Sequence, residues 1–354
     1  MKKKLVSLTM AALMLLSACT FTACGSGTGA DGDTEGADHG AQSNNTDEKE
    51  LEKITFVLDW TPNTNHTGLY VAQEKGFFEE AGLDVEIVQP PEDGAVVLVA
   101  SGKAQFGISF QDSLAAALAG EDALPVTSVA SVIQHNTSGI ISRAGEGMDT
   151  PKGMEGHSYA TWNGAIELAT LEEVVKADGG DFNKVELIPS TVTDEVSALK
   201  TKSVDSIWIF YAWAGVKTEL EGLDTDYFAF ADIDPVFDYY TPVIISNNKF
   251  LEENPDTVKA FLEAVTKGYE FAIENPEEAA DILCEAAPEL DSELVLASQN
   301  YLADQYQADA EYWGYIDAER WNNFYSWVNE NELVEDEVPL DTGFTSQRLR
   351  RRYP

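Results

Sequence analysis

Twice along its length the chain runs through the same alternation of short apolar stretches and amphipathic ones, and this repeated grammar limits the fold more than any other feature. In the first round 53–60 reads as a strand, 68–81 as a helix closing near Gly82, 85–88 as a strand, 95–101 as a helix, 104–109 as a strand and 112–119 as a helix, with extended runs at 126–134 and 139–143. The stretch 145–156 (GEGMDTPKGMEG) breaks the pattern, which restarts with strands at 158–161, 185–188, 204–210 and 227–230 separated by helices at 165–177, 194–200 and 213–221. One more apolar run, 243–246, follows Asp238-Tyr239-Tyr240-Thr241-Pro242; beyond it only helical patterns remain, at 255–273, 276–286, 292–306 and 317–329. Strands alternating with helices favour a parallel-rich sheet covered on its faces. The expectation is an α/β chain of two lobes, each a mixed, mostly parallel sheet flanked by helices, with a ligand cleft between them. Residues 53–147 form the first part of lobe 1, 148–240 lobe 2, 241–340 the return to lobe 1 with a helical C-terminal wrap, and 341–354 a tail. The crossings fall near 144–156 and 236–246, and the cleft near the carboxyl ends of the strands.

The N-terminus carries an export signal: three lysines, an apolar run from Leu5 to Leu16, then small residues and a cysteine. That run is about a dozen residues, short of the ~20 that span a bilayer. Leu16-Ser17-Ala18 before Cys19 resembles a bacterial lipobox, which makes 1–18 a signal peptide and Cys19 a lipidated N-terminus. Cys24 is the second candidate, but Phe21 stands where leucine is preferred. From Gly25 to Glu52 the chain is polar and acidic, too poor in apolar residues to offset chain entropy, so 19–52 reads as a lipidated tether.

With 22 basic against 62 acidic residues the net charge is −40. Such a surface repels phosphate backbones and anionic head groups, which excludes nucleic acid as a partner and leaves membrane contact to the lipid. After Cys19 and Cys24 the one remaining cysteine is Cys284, in AADILCEAA, a packing thiol whose acidic neighbours raise its pKa. The basic tail RLRRRYP yields no function.

Several polar and aromatic residues stand where strands end. Asp59-Trp60 closes the first strand: the indole offers a stacking face to a flat heteroaromatic, and the carboxylate an acceptor for an exocyclic amine. The competing reading makes Trp60 core and Asp59 a helix cap. In the polar loop TPNTNHTG, His66 has three roles open: ligand contact, helix cap or exposed residue. Ser109-Phe110-Gln111 ends another strand before a helix, whose N–H groups suit an acceptor atom. Trp162-Asn163-Gly164 occupies the corresponding turn of the second lobe, Trp162 opposed to Trp60 as the other half of an aromatic clamp. Glu167, one turn in, is either a ligand contact or a favourable charge at a helix start. From the clusters Phe210-Tyr211-Ala212-Trp213 and Asp238-Tyr239-Tyr240, Tyr211 and Tyr239 are taken for the pocket. Trp313, Trp321 and Trp327 sit at helical spacings and read as packing residues.

VLDWTPNTNHTGLYVA (57–72), followed by QEKGFFEEAGLDVEIV and ASGKAQFGIS, resembles the substrate-binding proteins of ABC importers, in the branch with bacterial thiamine-pyrimidine binding proteins and eukaryotic thiamine-pyrimidine synthases. The likeness runs over nearly all of 53–340. It implies a type II periplasmic-binding-protein fold that closes over one small molecule and delivers it to a permease and ATPase. Asn63, His66 and Tyr70, within the matched W-x-P-N-x-x-H-x-x-x-Y stretch, join Asp59, Trp60, Ser109, Phe110, Gln111, Trp162, Asn163, Glu167, Tyr211, Asp238 and Tyr239 as ligand-binding candidates.

The synthases of that branch use a pyridoxal phosphate lysine on the strand matching 106–110 and a cysteine-rich run. This chain has Ser109 at or beside the lysine position and no cysteine cluster, so the expectation is a binding protein with no cofactor and no metal. There is also no GxSxG, P-loop or HExxH motif. The expected ligand is a hydroxymethyl- or formylaminomethyl-aminopyrimidine, with riboflavin or another flat vitamin next. Sulfonate or nitrate ranks lower, because an anion site calls for arginine and the cleft segments hold none beyond the distant Arg143. A pure adhesion or scaffolding role would show no saturable small-molecule binding. The expected state is a monomer, exported and lipid-anchored at the outer face of the cytoplasmic membrane.

Overall fold

The computed structural model describes residues 50–345 apart from Asp93 and Thr191. The signal segment, Cys19, Cys24 and the basic residues after 345 lie outside the described residues. Among the described residues ten strands form two five-stranded sheets. They are β1 (Glu52–Val57), β2 (Leu83–Val88), β3 (Phe106–Ser109), β4 (Val126–Ser131), β5 (Ser138–Arg143), β6 (Ser158–Thr161), β7 (Glu186–Pro189), β8 (Ser206–Phe210), β9 (Thr225–Ala229) and β10 (Val243–Asn247).

The first sheet has the order β2-β1-β3-β10-β4 and the second β7-β6-β8-β5-β9. The two orders are the same plan used twice. In each sheet three neighbouring strands run parallel in a βαβ sequence, and the fourth position is filled by a strand from across the boundary. β10 returns from beyond the second sheet to lie antiparallel between β3 and β4. β5 leaves before the second sheet begins its own run and lies antiparallel between β8 and β9.

Both sheets are mixed: four of the five strands of each run the same way, and one, β10 or β5, is antiparallel to both its neighbours. One expectation is corrected by this exchange: the change of sheet falls between β4 and β5, at residues 132–137, and not at 144–156. An apolar run such as Gly139-Ile140-Ile141 has the same composition whichever sheet it joins, so the glycine-rich break drew the boundary too late. The return crossing, 230–242, overlaps the expected one.

Each sheet has its own core. Under the first, Phe261 stacks on Phe106 with centroids 3.9 Å apart, and Phe56 and Phe78 close around it. Tyr159, Leu171, Val174, Phe230 and Phe237 fill the second. Trp313 and Trp321, at 1% and 0% exposure, are core residues as expected, although Trp313 lies in a turn before the helix Ala318–Glu330 and not on a helix.

The helix that carries the site loop is fastened by a close crossing. Thr67–Glu74 packs on Pro255–Glu274, and a Cβ on Gly68 would lie 2.3 Å from the Tyr269 ring, while one on Gly268 would lie 2.0 Å from the Gly68 carbonyl oxygen. Only glycine lets the two backbones approach this closely.

Candidate functional site

A cavity of about 430 Å³ opens where the carboxyl ends of β1, β3 and β8 face one another. The first sheet contributes Asp59, Trp60, Asn63, Thr64, Asn65 and Phe110; the second contributes Trp208, Ile209, Phe210, Ala212, Trp213 and Ala214. Ile133, Thr137 and Pro242, from the two crossings, and Thr193, Glu195 and Lys217 complete the lining. Carboxyl ends of strands are where open α/β sheets leave room for ligands, because the loops diverge there.

Trp60 is 56% exposed and lines this cavity, so the core reading of that residue is excluded. Asp59 beside it accepts a hydrogen bond from His66 Nε2 at 2.7 Å. His66 itself is fully buried, and its Nδ1 accepts the Asn63 N–H at 3.2 Å. It stands behind Asp59 rather than in the lining, which corrects its expected role as a direct contact. Asn63 lines the cavity while its Oδ1 caps the turn Thr64–His66 by accepting the Asn65 N–H at 2.9 Å. From there Thr64 Oγ1 reaches Ser298 Oγ at 2.6 Å, and Ser298 donates to the Ala212 carbonyl, so the loop of one sheet is tied to the wall of the other.

Phe110 lines the cavity and stacks on Phe210 across the gap between the sheets. Its neighbours in sequence do not reach the cavity. Ser109 is buried and paired with Val243 in the sheet. Gln111, fully buried, donates to the Trp321 carbonyl and accepts the Tyr240 N–H, both at 2.9 Å. Tyr70 packs its ring between two apolar clusters, outside the lining.

On the second lobe the expected clamp residue, Trp162, stands one ring back. It is 53% exposed and meets Trp208 edge-on at 5.4 Å, and Trp208 is the indole that lines the cavity. Asn163 takes a left-handed conformation (φ 61°) with its N–H on Thr161 Oγ1. Glu167 is buried and saturated: it accepts from the Tyr159 hydroxyl and from the N–H groups of Trp162 and Gly164. The helix-start reading therefore holds for Glu167 and the ligand reading does not.

Tyr211 points away from the cavity, its hydroxyl on Glu219 and its ring against Tyr227 and Tyr301. Burial, then the Glu219 bond, pushes its phenol pKa up. Tyr239 is core, stacked on Phe324 at 4.2 Å. Asp238 belongs to the crossings: Oδ2 binds His135 Nδ1 at 2.7 Å and Arg320 Nη1 at 2.8 Å, and Oδ1 accepts the Asn136 N–H at 2.9 Å.

Sequence reasoning missed Trp208, Thr137, Glu195 and Lys217, and took Tyr211 from a cluster in which Phe210 and Trp213 face the cavity. One turn of π-helix, Tyr211–Gly215, rotates this segment by an extra residue. Such bulges gather at functional sites, but nothing in the local sequence announces one. Lys217 pairs with Asp194 at 3.2 Å and is the one basic residue of the lining. Cys284 is half-buried, with its thiol pKa raised first by burial and then by Asp281 and Asp291. Among the described residues no group of acidic, histidine or cysteine side chains is arranged to hold a metal ion.

Residues 63–279, more than half of the chain, match the family described as NMT1/THI5 like. The chain belongs to the NMT1/THI5-like family. Within that family it is 32% identical over 351 residues to the formylaminopyrimidine-binding protein of Halalkalibacterium halodurans, an overlap of 97% of this chain and 98% of that one. It is 27% identical over 256 residues to the 4-amino-5-hydroxymethyl-2-methylpyrimidine phosphate synthase THI5 of Saccharomyces cerevisiae, 69% of this chain and 74% of that one. Among solved structures, the putative periplasmic sulfonate-binding protein SsuA of Methylobacillus flagellatus superposes with a TM-score of 0.64 at 16% identity, covering 86% of this chain and 94% of that one. The periplasmic nitrate-binding protein NrtA of Synechocystis gives 0.63 at 16% identity, covering 86% and 88%. At such identities the likeness is one of fold: this NMT1/THI5-like chain has the two-lobed type II fold of periplasmic binding proteins.

Proposed function

We propose that this chain is the extracytoplasmic solute-binding protein of an ABC importer and that its cavity takes a planar, amine-bearing heteroaromatic, in the first place a hydroxymethyl- or formylaminomethyl-aminopyrimidine. The observation that carries this reading is the pair Asp59 and Trp60 in one cavity, a carboxylate acceptor beside an exposed indole face. A flat ring stacked on the indole gains burial plus ~0.5–1.5 kcal/mol of ring-on-ring attraction. An exocyclic amine then meets Asp59, while Trp208, Trp213, Phe110 and Phe210 wall the cavity with apolar surface. The relative that binds formylaminopyrimidine, alike over 97% of this chain, supports the same ligand class.

The reading treats the protein as a carrier and not a catalyst. Ser109 stands at or beside the position where the synthases of the resembling branch use a lysine, and Cys284 is the one cysteine after the lipobox region. The synthases named in the family are less alike, and over less of the chain. The importer's permease and ATPase receive the ligand, and lipid on Cys19 holds the monomer at the outer face of the cytoplasmic membrane through the acidic tether.

Titration calorimetry of the exported protein against both aminopyrimidines, riboflavin, an alkanesulfonate and nitrate tests it. Saturable one-to-one binding of an aminopyrimidine, tighter than all the others, is the expected result. Tightest binding of a ligand without a ring amine, or conversion of the pyrimidine to a product, overturns it.

A further inference from the structure

We infer that His66 is a positioning residue that leaves Asp59 a single free acceptor oxygen, and that the cavity thereby selects a ring bearing an exocyclic N–H donor over the same ring bearing a carbonyl. The inference rests on the reading of Asp59 and Trp60 as the ligand site.

The His66 imidazole is fully buried, so its two nitrogens must each find a partner. Nδ1 faces the Asn63 backbone N–H at 3.2 Å. A backbone N–H is only ever a donor, so Nδ1 accepts, and the ring's proton belongs on Nε2. Nε2 lies 2.7 Å from Asp59 Oδ1 and donates to it.

The tautomer is held from behind. Asn63 is locked by its own bonds, Oδ1 accepting the Asn65 N–H at 2.9 Å and Nδ2 donating to the Thr61 carbonyl at 3.0 Å. Tyr269 clamps the same turn by donating to the Asn65 carbonyl at 2.6 Å. The backbone N–H that sets the tautomer therefore cannot turn away.

Asp59 has no other hydrogen-bond partner among the described residues, and its side chain is 12% exposed. Its Oδ1 carries the His66 bond, and Oδ2 remains in a wall of rings, aliphatic residues and threonine or asparagine side chains, in which Glu195 and Lys217 are the other charged groups. An acceptor with no rotational freedom discriminates sharply, because it gains from an N–H and is left unpaired opposite a carbonyl. Without the His66 bond Asp59 is free to turn, and that discrimination fades.

Two measurements test this. In the ligand-free protein, nitrogen NMR of His66 should show a neutral ring protonated at Nε2; a proton on Nδ1 overturns the inference whatever the ligand. Calorimetry then compares 4-amino-5-hydroxymethyl-2-methylpyrimidine with its 4-oxo counterpart. The parent should prefer the amine by about tenfold to a hundredfold, as expected when a site's buried acceptor is left unpaired. In His66→Leu the preference should shrink to about threefold or less. In His66→Gln, whose amide can accept from Asn63 and donate to Asp59, most of it should return. His66→Leu that keeps the parent's preference, or His66→Gln that loses it as fully as the leucine variant while folded, overturns the inference and leaves the ligand class intact. A parent that binds neither pyrimidine overturns the ligand class, and this inference with it.

Discussion

Phe110 and Phe210 stack with ring centroids 6.0 Å apart and planes 20° from parallel, one ring following β3 of the first sheet and the other ending β8 of the second. The contact therefore exists only while the two sheets stand close. Each lobe keeps its own core, so this stack weighs on the distance between lobes and little on the folding of either. A stacked aromatic pair is worth ~0.5–1.5 kcal/mol, so Phe210→Ala should weaken ligand binding by about twofold to tenfold while the melting temperature stays near the parent's. Calorimetry and thermal melts on the same preparation check it. A large loss of stability with unchanged affinity would mean that Phe210 is a core residue of its own lobe.

The two crossings are joined to the C-terminal wrap by His135. Its Nδ1 meets Asp238 at 2.7 Å, its Nε2 meets Asp309 at 2.9 Å, and Arg320 binds the same Asp238 oxygen. The His135 pKa is raised, by the Asp238 bond first, against the opposing effect of burial, with Asp309 adding to the rise and Arg320 opposing it. A histidine whose folded pKa lies above its unfolded value of ~6.5 stabilises the fold fully below that value, and the stabilisation is lost as pH rises through the folded pKa. The parent should thus lose its advantage over His135→Gln between weakly acid and mildly alkaline pH. Melting curves of both proteins across that range decide it; parallel curves would show that His135 does not gain its proton from this site.

Arg143, the last residue of β5, anchors one end of the second sheet. Its guanidinium binds Glu146 and Asp205 at 2.6 and 2.5 Å and the carbonyls of Leu199 and Val204 at 3.2 and 2.9 Å. The bonds from Arg143 and Lys202 lower the Glu146 pKa to about 2. For Asp205 burial acts upward, but the Ser158 and Arg143 bonds outweigh it and the pKa also falls to about 2. Carboxylates with depressed folded pKa values stabilise the protein above their ordinary range near ~4, and that contribution is lost as pH falls through the folded values. Replacing Arg143 by Met should cost about 1–3 kcal/mol near neutral pH, allowing for partners that remain partly exposed. The cost should shrink in acid. Urea titrations at neutral pH and near pH 3 measure both, and equal costs at the two pH values would contradict the assignment.

How much of this was readable in the residues differs from place to place. The four C-terminal helices, Pro255–Glu274, Pro276–Ala286, Ser292–Ala303 and Ala318–Glu330, follow directly from apolar periodicity with proline or aspartate at their starts. Trp60 was legible because a tryptophan followed by a polar loop at a strand end has little to pack against. Gln111 was not, since the groups that satisfy it, Tyr240 and Trp321, lie far along the chain. Glu167 had two fair readings until Tyr159 supplied a third hydrogen bond from within the core. The pattern shows β5 as a strand but not its sheet, because pattern reports burial and not which neighbour does the burying.

The proposed lipidation rests on the N-terminal sequence alone. Cys19→Ala should abolish incorporation of labelled fatty acid and release the protein from membranes with ligand binding intact. Label retained by Cys19→Ala and lost by Cys24→Ala would move the anchor to the second cysteine.

The claim that a flat, amine-bearing ring stacks on Trp60 is tested most directly by titration calorimetry of Trp60→Ala with formylaminomethyl-aminopyrimidine, beside Trp60→Phe and the core variant Trp321→Ala. Loss of the indole face with its buried area should cost about 2–4 kcal/mol of binding, and the phenylalanine variant much less. Trp321→Ala should lower stability and leave the affinity of the folded protein alone. A folded Trp60→Ala that binds as tightly as the parent would contradict the account, because the ligand would then lie elsewhere than at the end of β1.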